Sequence, residues 1–311
     1  MKISYSAPAK VILSGEHAVV FSKPAIISAI DLRLVFNLWE EKKVIKSPTI
    51  HFIADATKKY LNTKKILFKE TNFGYSIDSQ IPIGRGLGSS AALSVAAGAA
   101  FLKFYTGKQF DKDTINNLAY KIEKRFHANT SGVDPSTVCF GGLIYYRKEF
   151  EFLKTISSLT FKIPKKIEEN LYLIDTGKPK ETTGEMVKMV GKNYNNKPQF
   201  IEEILNDIEK TTKRMVISLI KEDIDFFLKS LIDNQILLDM LGVVSQSAKK
   251  ILKQLEPYGI GKITGAGGYT YGSGFILFYS DNQSGLTRFC QKNKLPLLKF
   301  KQSNEGVKSE L

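Results

Sequence analysis

The stretch 81–92, with the sequence IPIGRGLGSSAA, carries the clearest structural pattern of the chain. Before it, Phe73, Tyr75 and Ile77 alternate with small or polar residues, as in a half-buried strand. After it, residues 89–105 are almost wholly apolar and small, which is typical of a buried helix. The sequence therefore predicts a strand, a glycine turn and a buried helix in direct succession.

Three glycines, Gly84, Gly86 and Gly88, form the predicted turn. Because they have no Cβ, the backbone can adopt positive φ and come close to a ligand. Ser89 and Ser90 follow where the helix should begin, and the first N–H groups of a helix attract anions such as phosphate. The G-x-G-x-G spacing fits neither a Walker A loop nor a dinucleotide fingerprint. Taken alone, the stretch indicates either a phosphate site or a tight turn before a core helix.

The composition of the 311 residues, 43% hydrophobic and 24% charged, predicts a globular protein of one large or two ordinary domains. The sequence shows neither a signal-peptide pattern nor an apolar run of about eighteen residues, so we expect a cytoplasmic protein without a membrane partner. Cys139 and Cys290 are far apart, which indicates neither a disulfide framework nor a zinc site. The net charge of +14 comes from scattered lysines, and we therefore expect no nucleic-acid partner.

Unusual polar residues lie within and directly after the first apolar run. Lys10 lies inside that run, and Glu16 and His17 occupy the glycine turn after it. The pattern predicts a strand, a turn and a second strand over 18–20. Considered singly, Lys10 can extend its amine to water and His17 can be a structural histidine, so both are only candidates at this point.

The next segments predict a strand with Leu34 and Phe36 on one face, a charged turn over 40–46 and an exposed helix over 55–66. A helix capped by Asp111 then leads to the polar loop 127–137. Loops of this kind often carry function, but Asp134 stands before Pro135 and can equally be a turn residue. Three amphipathic helices are predicted within 201–255.

Four separated segments agree, in order, with the motifs of one family. They are SAPAKVILSGEHAVV (6–20), IPIGRGLGSSAAL (81–93), IEKRFHANTSGVDPSTVCFGG (122–142) and KITGAGG (262–268). With them the chain resembles the GHMP small-molecule kinases, and most closely the mevalonate kinases. The GLGSSAA loop is shared by the whole superfamily, whereas GEHAVV together with HANTSGVD is narrower.

This resemblance implies an α+β fold with two domains and the nucleotide in the cleft between them. The N-terminal domain would be ribosomal-S5-domain-2-like with a left-handed βαβ unit, and the C-terminal domain ferredoxin-like. A charged run before the apolar strand 171–174 places the boundary near residue 165, giving domains 1–165 and 166–311. The implied reaction is phosphorylation of mevalonate to 5-phosphomevalonate, with ATP as co-substrate and Mg²⁺. A homodimer is compatible with the sequence, which does not decide the oligomeric state.

The resemblance also implies roles for single residues. Asp134 aligns with the catalytic aspartate and would have Lys10 close to it, so that the cation keeps the carboxylate ionised and stabilises charge on the attacking oxygen. Ser90 and Glu123 align with the metal ligands and offer the hard oxygens that Mg²⁺ prefers. The predicted nucleotide-binding residues are Pro82, Gly84, Arg85, Gly86, Leu87, Gly88, Ser89, Ser90, Gly265 and Gly267.

The predicted substrate-binding residues are Glu16, His17 and Thr183, with Thr182 able to take the role of Thr183. The chain departs from the family pattern at Leu93, where many relatives have a tyrosine, and at 269–271, where Tyr-Thr-Tyr replaces small residues. We interpret both departures as tolerated substitutions in the wall of the site.

Two alternatives to a mevalonate kinase remain from the sequence. One is a kinase of phosphomevalonate or of another small hydroxy acid or sugar. The other is a non-catalytic nucleotide-binding or nucleic-acid-binding protein on the same fold. The presence of Lys10, Glu123 and Asp134 together argues against the second, because a protein that only binds needs no catalytic base.

Overall fold

The computed structural model describes residues 2–42, 47–126, 131–150 and 153–310. Two antiparallel sheets, each covered by helices, divide these residues into an N-terminal and a C-terminal domain. The first sheet contains β1 (Lys2–Ser14), β2 (Ala25–Glu40), β3 (Phe73–Ser79), β4 (Leu143–Lys148), β5 (Lys154–Leu159) and a last strand, β10 (Lys308–Glu310), in the order β10-β1-β2-β4-β5 with β3 also paired to β2.

Helix α2 (Ser89–Thr106) lies at the centre of the N-terminal domain, as the apolar run predicted. Half of its buried residues are alanines, so the helix backbone can lie close to β1 and β2. Gly107, with φ of 73°, ends it in the left-handed conformation that glycine adopts without strain. The other helices of the domain are α1 (Pro48–Thr63), α3 (Lys112–Phe126) and α4 (Val133–Phe140).

The C-terminal domain has a four-stranded sheet in the order β7-β8-β6-β9. Its elements follow the chain order of a ferredoxin-like domain, with the first strand between the third and the fourth, so the predicted α+β fold is confirmed. The strands are β6 (Leu171–Asp175), β7 (Ile260–Thr264), β8 (Phe275–Tyr279) and β9 (Leu297–Lys299); the helices are α5 (Lys165–Glu168), α6 (Thr183–Asn196), α7 (Pro198–Lys221), α8 (Ile224–Met240), α9 (Gln246–Leu255) and α10 (Gln283–Lys292).

Three local predictions are wrong. The segment Ala18–Phe21 is a 3₁₀ helix and not a strand, since the N–H of Val20 donates to the carbonyl of His17, three residues before it, at 2.9 Å. Helix α1 begins seven positions before the predicted 55–66 and buries a full apolar face. Part of the predicted polar loop 127–137 is helix α4. The predicted turn residues 43–46 and the loop residues 127–130 lie outside the described part of the chain.

The domain boundary near residue 165 stays a prediction; this position lies between β5 of the first sheet and β6 of the second. Strand β10 pairs antiparallel with β1, Ser4 facing Glu310, and so lies in the first sheet rather than the second. The three residues of β10 carry no apolar alternation that would reveal this pairing. Their backbone groups satisfy the outer edge of β1, which would otherwise be unpaired.

Candidate active site

A cavity of about 700 Å³ is lined by residues of both domains. The N-terminal domain contributes the end of β1, the glycine loop before α2 and the first turn of α4. The C-terminal domain contributes the segments 178–184 and 264–267. Most of the predicted site residues line this cavity: Lys10, His17, Gly84, Arg85, Gly86, Gly88, Ser89, Ser90, Glu123, Asp134, Thr183, Gly265 and Gly267.

The glycine loop lies directly against the KITGAGG segment (262–268), the third glycine motif of the chain. A Cβ placed on Gly86 would come within 3.1 Å of the carbonyl oxygen of Thr264, and one on Gly265 within 3.1 Å of the Cα of Gly86. Both glycines also have φ near 90°, which side chains rarely tolerate. The two domains can therefore bring backbone against backbone at this point only because both residues are glycine.

The loop opens the N-terminus of α2 toward the cavity. Gly88 precedes the helix with φ of 79°, and the first turn contains no acidic side chain that would neutralise the positive end of the helix dipole. Residues of the loop before the helix line the cavity, and so do Ser89 and Ser90 of the first helical turn. This arrangement suits a phosphate group.

Lys10 and Asp134 meet in this cavity. The Nζ atom of Lys10 lies 3.0 Å from Oδ1 of Asp134, with the lysine side chain 3% and the aspartate 33% exposed. Asp134 is in the first turn of α4, where an acidic side chain is favoured by the helix dipole. The backbone N–H of Lys10 donates to the carbonyl of Leu87 at 3.0 Å and so fixes β1 to the glycine loop. The pair therefore has a defined position beside the glycine loop.

Glu123, near the end of α3, is buried next to this pair. The hydroxyl of Ser94 donates to its Oε1 at 2.9 Å, and the hydroxyl of Ser90 also bonds to the carboxylate. Burial, and to a lesser degree the nearby charge of Asp134, raises the pKa of Glu123 to about 7 against the opposing hydrogen bonds. Sequence reasoning missed Ser94, although its position four residues after Ser90 places both on one face of α2.

The raised pKa of Glu123 predicts how stability depends on pH. The folded protein holds this proton up to pH of about 7, whereas an unfolded glutamate loses it near pH 4.5. The stabilising contribution is therefore complete below pH 4.5 and is lost as the pH rises through 7. Relative to Glu123→Gln, the wild type without metal should lose about 3 kcal/mol of unfolding free energy between pH 4.5 and 8. Denaturant titrations of both proteins across this range measure the difference.

Glu149→Gln is the matched control, because that carboxylate lies at the surface beside Arg147 and outside the cavity. Its stability difference from the wild type should change little over the same pH range. A constant difference between Glu123→Gln and the wild type at all pH values would contradict the protonated, buried carboxyl.

His17 lines the cavity in a backbone conformation with φ of 59°. Its Nε2 lies 3.0 Å from the carbonyl oxygen of Ala266, and because a carbonyl only accepts, Nε2 carries the proton. Burial lowers the pKa of His17 to about 4, so the ring is neutral at physiological pH. Its Nδ1 is then a buried acceptor, and it has no hydrogen-bond partner within the described residues. A hydroxyl group of a ligand could donate a hydrogen bond to this nitrogen.

The two candidate threonines have different environments at the start of α6. Thr182 caps the helix, since its side chain accepts from the N–H of Glu185 while the Glu185 carboxylate accepts from the N–H of Thr182. No hydrogen bond of the Thr183 hydroxyl is found among the described residues. Both line the cavity, but the hydroxyl of Thr183 is the one available to a ligand.

Glu16 is not placed as predicted. Its carboxylate is fully buried, pairs with Lys262 and accepts from Nδ2 of Asn234 at 3.1 Å. The hydroxyl of Ser14 continues the network, donating to Oδ1 of Asn234 at 2.9 Å. Glu16 does not line the cavity, because both carboxylate oxygens face this buried network between the domains. The geometry gives Glu16 the position of a structural residue behind the turn that carries His17.

Three members of the predicted nucleotide-binding set are also placed differently. Pro82 is not part of the cavity wall. Leu87 is fully buried in the core, and only its carbonyl is involved in the site, as the acceptor of the Lys10 N–H. Arg85 lines the cavity, but its guanidinium pairs with the buried Asp175 of the C-terminal domain. Arg85 therefore joins the domains rather than presenting a free cation.

The Tyr-Thr-Tyr departure forms a clamp on the segment before α6. The backbone N–H groups of Tyr269 and Thr270 donate to the two carboxylate oxygens of Glu181, at 3.1 and 3.0 Å, and the Thr270 hydroxyl adds a further bond. The two tyrosine rings are exposed and do not enter the cavity wall. The departure thus adds no bulk to the wall, whereas Leu93, the other departure, lies on it.

Two features of the described residues bear on membrane and metal partners. No helix there is long and apolar enough to cross a membrane. No group of three or more histidine, cysteine, aspartate or glutamate side chains is arranged to hold a metal ion in that part of the chain. A magnesium ion that shares a nucleotide needs fewer protein ligands than that, because phosphate oxygens and waters complete its shell.

Comparisons with known proteins agree with this geometry. The family of GHMP kinases N terminal domains matches residues 49–142. The mevalonate kinase of Pyrococcus abyssi is 35% identical over 85% of this chain and 85% of its own length, and that of Thermococcus sibiricus is 34% identical over 86% and 87%. The crystal structure of the Methanococcus jannaschii mevalonate kinase superposes with a TM-score of 0.78 at 26% identity, covering 97% of this chain and 98% of that one. Sequence and fold lead to the same group of proteins.

Proposed function

The chain belongs to the mevalonate kinase family of GHMP kinases, and from this membership we propose that it phosphorylates mevalonate with ATP to give 5-phosphomevalonate. As a member of this family it is an ATP-dependent phosphotransferase with an alcohol acceptor. The proposal places it in isoprenoid synthesis in the cytoplasm. A homodimer stays a prediction from the sequence.

The observation that carries the proposal is the Lys10–Asp134 pair beside the glycine loop. Phosphoryl transfer needs the phosphates held, the charge neutralised and the attacking hydroxyl positioned. We assign Asp134 to accept the proton of the hydroxyl and Lys10 to stabilise the negative charge that develops on the same oxygen. A protein that only bound nucleotide would need neither group at this position.

Mg²⁺ fits the pair of oxygen donors formed by Ser90 and Glu123. The buried carboxylate of Glu123 is held by two serine hydroxyls. Its raised pKa means that burial disfavours the charged form, and a cation bound nearby would favour that form. When bound, the ion would neutralise charge on the phosphate oxygens. Ser94 would orient the carboxylate without being a ligand itself, since its hydroxyl is already donated to Oε1.

Mevalonate is a small branched acid with hydroxyl groups, and the cavity offers it polar partners. The Nδ1 of His17, which has no partner among the described residues, can accept a hydrogen bond from a hydroxyl group, and the hydroxyl of Thr183 can donate one to an oxygen. We assign these two residues to the acceptor substrate. Glu16 and Lys262 then act behind His17, holding the turn that presents it.

A substrate panel tests the proposed reaction. The purified chain, supplied with ATP and Mg²⁺, is offered mevalonate, phosphomevalonate, galactose and homoserine, and ADP release is measured. We expect mevalonate to give the highest kcat/KM. Faster turnover of phosphomevalonate would transfer the assignment to that substrate, and the absence of turnover with every acceptor would reject the kinase.

Substitutions at His17 and Thr183 test the acceptor site. His17→Leu and Thr183→Val should each lower kcat/KM for mevalonate about ten- to a hundredfold, because each removes one hydrogen bond to a polar substrate. The KM for ATP should change little. Steady-state kinetics with each substrate varied in turn separates the two effects.

His51→Leu serves as a control for His17→Leu, since this histidine lies on α1 outside the cavity wall.

Thr182→Val is the control for Thr183→Val. It should lower stability by about 1 kcal/mol, because it removes the helix cap. A selective loss of mevalonate use in Thr182→Val but not in Thr183→Val would assign the role to the neighbouring residue.

A further inference from the structure

We propose that Lys178 is a phosphate-binding residue of the nucleotide site, reaching the glycine loop from the opposite domain. This inference rests on the proposed function, because it concerns the same cavity. Lys178 lies between β6 and α6 and lines the cavity together with the glycine loop. No sequence motif pointed to this role.

Lys178 lies directly over the first glycine of the loop. A Cβ placed on Gly84 would be 2.8 Å from Cε and 3.4 Å from Nζ of Lys178. The amine is therefore beside the backbone that leads into the N-terminus of α2. A phosphate bound at that helix end and loop would have the helix on one side and this amine on the other.

Two lysines of the cavity wall, Lys178 and Lys180, differ from the other cations there in charge pairing, and of the two it is Lys178 that lies over Gly84. Lys10 is paired with Asp134, and Arg85 with Asp175. Among the described residues, no carboxylate lies within 4.0 Å of the Lys178 amine. An exposed ammonium group without a carboxylate keeps its full charge for an anionic ligand. The glycine loop supplies no free cation of its own, since its arginine is engaged.

The segment that carries Lys178 is fixed on both sides. Before it, the N–H of Thr176 donates to the carbonyl of Gly274 at 2.9 Å, and the N–H of Gly274 donates to the carbonyl of Gly177 at 3.1 Å. After it, Glu181 is held by the Tyr269–Thr270 clamp described above. Because both ends are anchored to residues 269–274, which follow the third glycine motif directly, the lysine backbone is held in place relative to the glycine loop.

The test compares Lys178→Met with the wild type in calorimetric binding of adenosine, AMP, ADP and the β,γ-imido analogue of ATP. Methionine keeps the stem and removes the charge. We expect affinity for the ATP analogue to fall about ten- to a hundredfold, as for the loss of one charge-assisted hydrogen bond. Affinity for adenosine should be unchanged. Lys178→Arg should retain most of the affinity, because it keeps the cation.

Lys188→Met is the matched control, since this exposed lysine of α6 lies outside the cavity and its loss lowers the net charge equally. The wild-type affinity should be retained by this variant. Equal losses in both variants would show a general charge effect and overturn the proposal, as would an unchanged affinity of Lys178→Met for the ATP analogue.

Three outcomes separate this inference from the proposed function. If the wild type phosphorylates mevalonate and Lys178→Met binds the ATP analogue normally, the inference fails and the function stands. If Lys178→Met raises only the KM for mevalonate, the amine binds the carboxylate of the acceptor and the assignment to phosphate is wrong. If the wild type binds the ATP analogue with the expected lysine dependence but phosphorylates no acceptor, the function fails and the inference stands.

Discussion

Asp134→Asn should lower kcat for mevalonate phosphorylation about 10²- to 10⁴-fold, the range expected for loss of a general base. The amide keeps the size of the side chain but cannot accept the proton of the hydroxyl at neutral pH. Binding of the β,γ-imido analogue of ATP should stay within a few-fold of wild type, because Asp134 lies outside the glycine loop. Steady-state kinetics and calorimetry on the same preparation measure both quantities.

Asp113→Asn is a matched control for this variant. It also removes an acidic side chain from the first turn of a helix, α3, but it lies outside the cavity. Any effect of the helix dipole or of net charge should therefore appear in both proteins, and the loss of kcat only in Asp134→Asn. A near-native kcat in Asp134→Asn would remove this residue from the mechanism.

Lys262→Met should have the largest effect on stability. Lys262 and Glu16 are both fully buried and pair with each other. Burial lowers the pKa of Lys262, and the Glu16 carboxylate acts in the opposite direction. Removing the lysine leaves a buried carboxylate with Asn234 as its remaining side-chain partner, which should cost about 3–5 kcal/mol of unfolding free energy. Denaturant titration measures this loss.

A double variant distinguishes the pair from general damage to the core. Lys262→Met combined with Glu16→Gln should lose less stability than the sum of the two single variants, because the second change removes the unpaired charge. Lys301→Met removes an exposed lysine paired with Asp31 and should leave the stability almost unchanged, because solvent screens this surface pair. Additive losses in the double variant would show that the two groups do not interact.

The parts of the fold that could be predicted from sequence are those set by local patterns. The strand, glycine turn and buried helix of 73–106 were confirmed, since alternation, glycines and an apolar run are each visible within a few residues. Helix α6 was missed because it buries only Met186 and Val190 and contains two glycines. Its capping box, Thr182 to Glu185, was the available signal.

The site could be predicted only as far as the family motifs reach. The resemblance led to Lys10 and Asp134, which the structure brings into contact. It did not reveal that Glu16 faces away from the cavity, because its partner Lys262 is 246 residues away in the chain. The role proposed for Lys178 likewise depends on a contact between two domains, which local patterns do not contain.

The pairing of β10 with β1 bears on how the protein is made. A ribosome releases β1 first, and 304 residues separate Ser6 from its hydrogen-bond partner Glu310. The first sheet therefore has an open edge throughout synthesis, until residues 308–310 emerge. Closing this sheet is a late, long-range step, and the open edge of β1 is the part of the nascent chain most exposed to pairing with other chains.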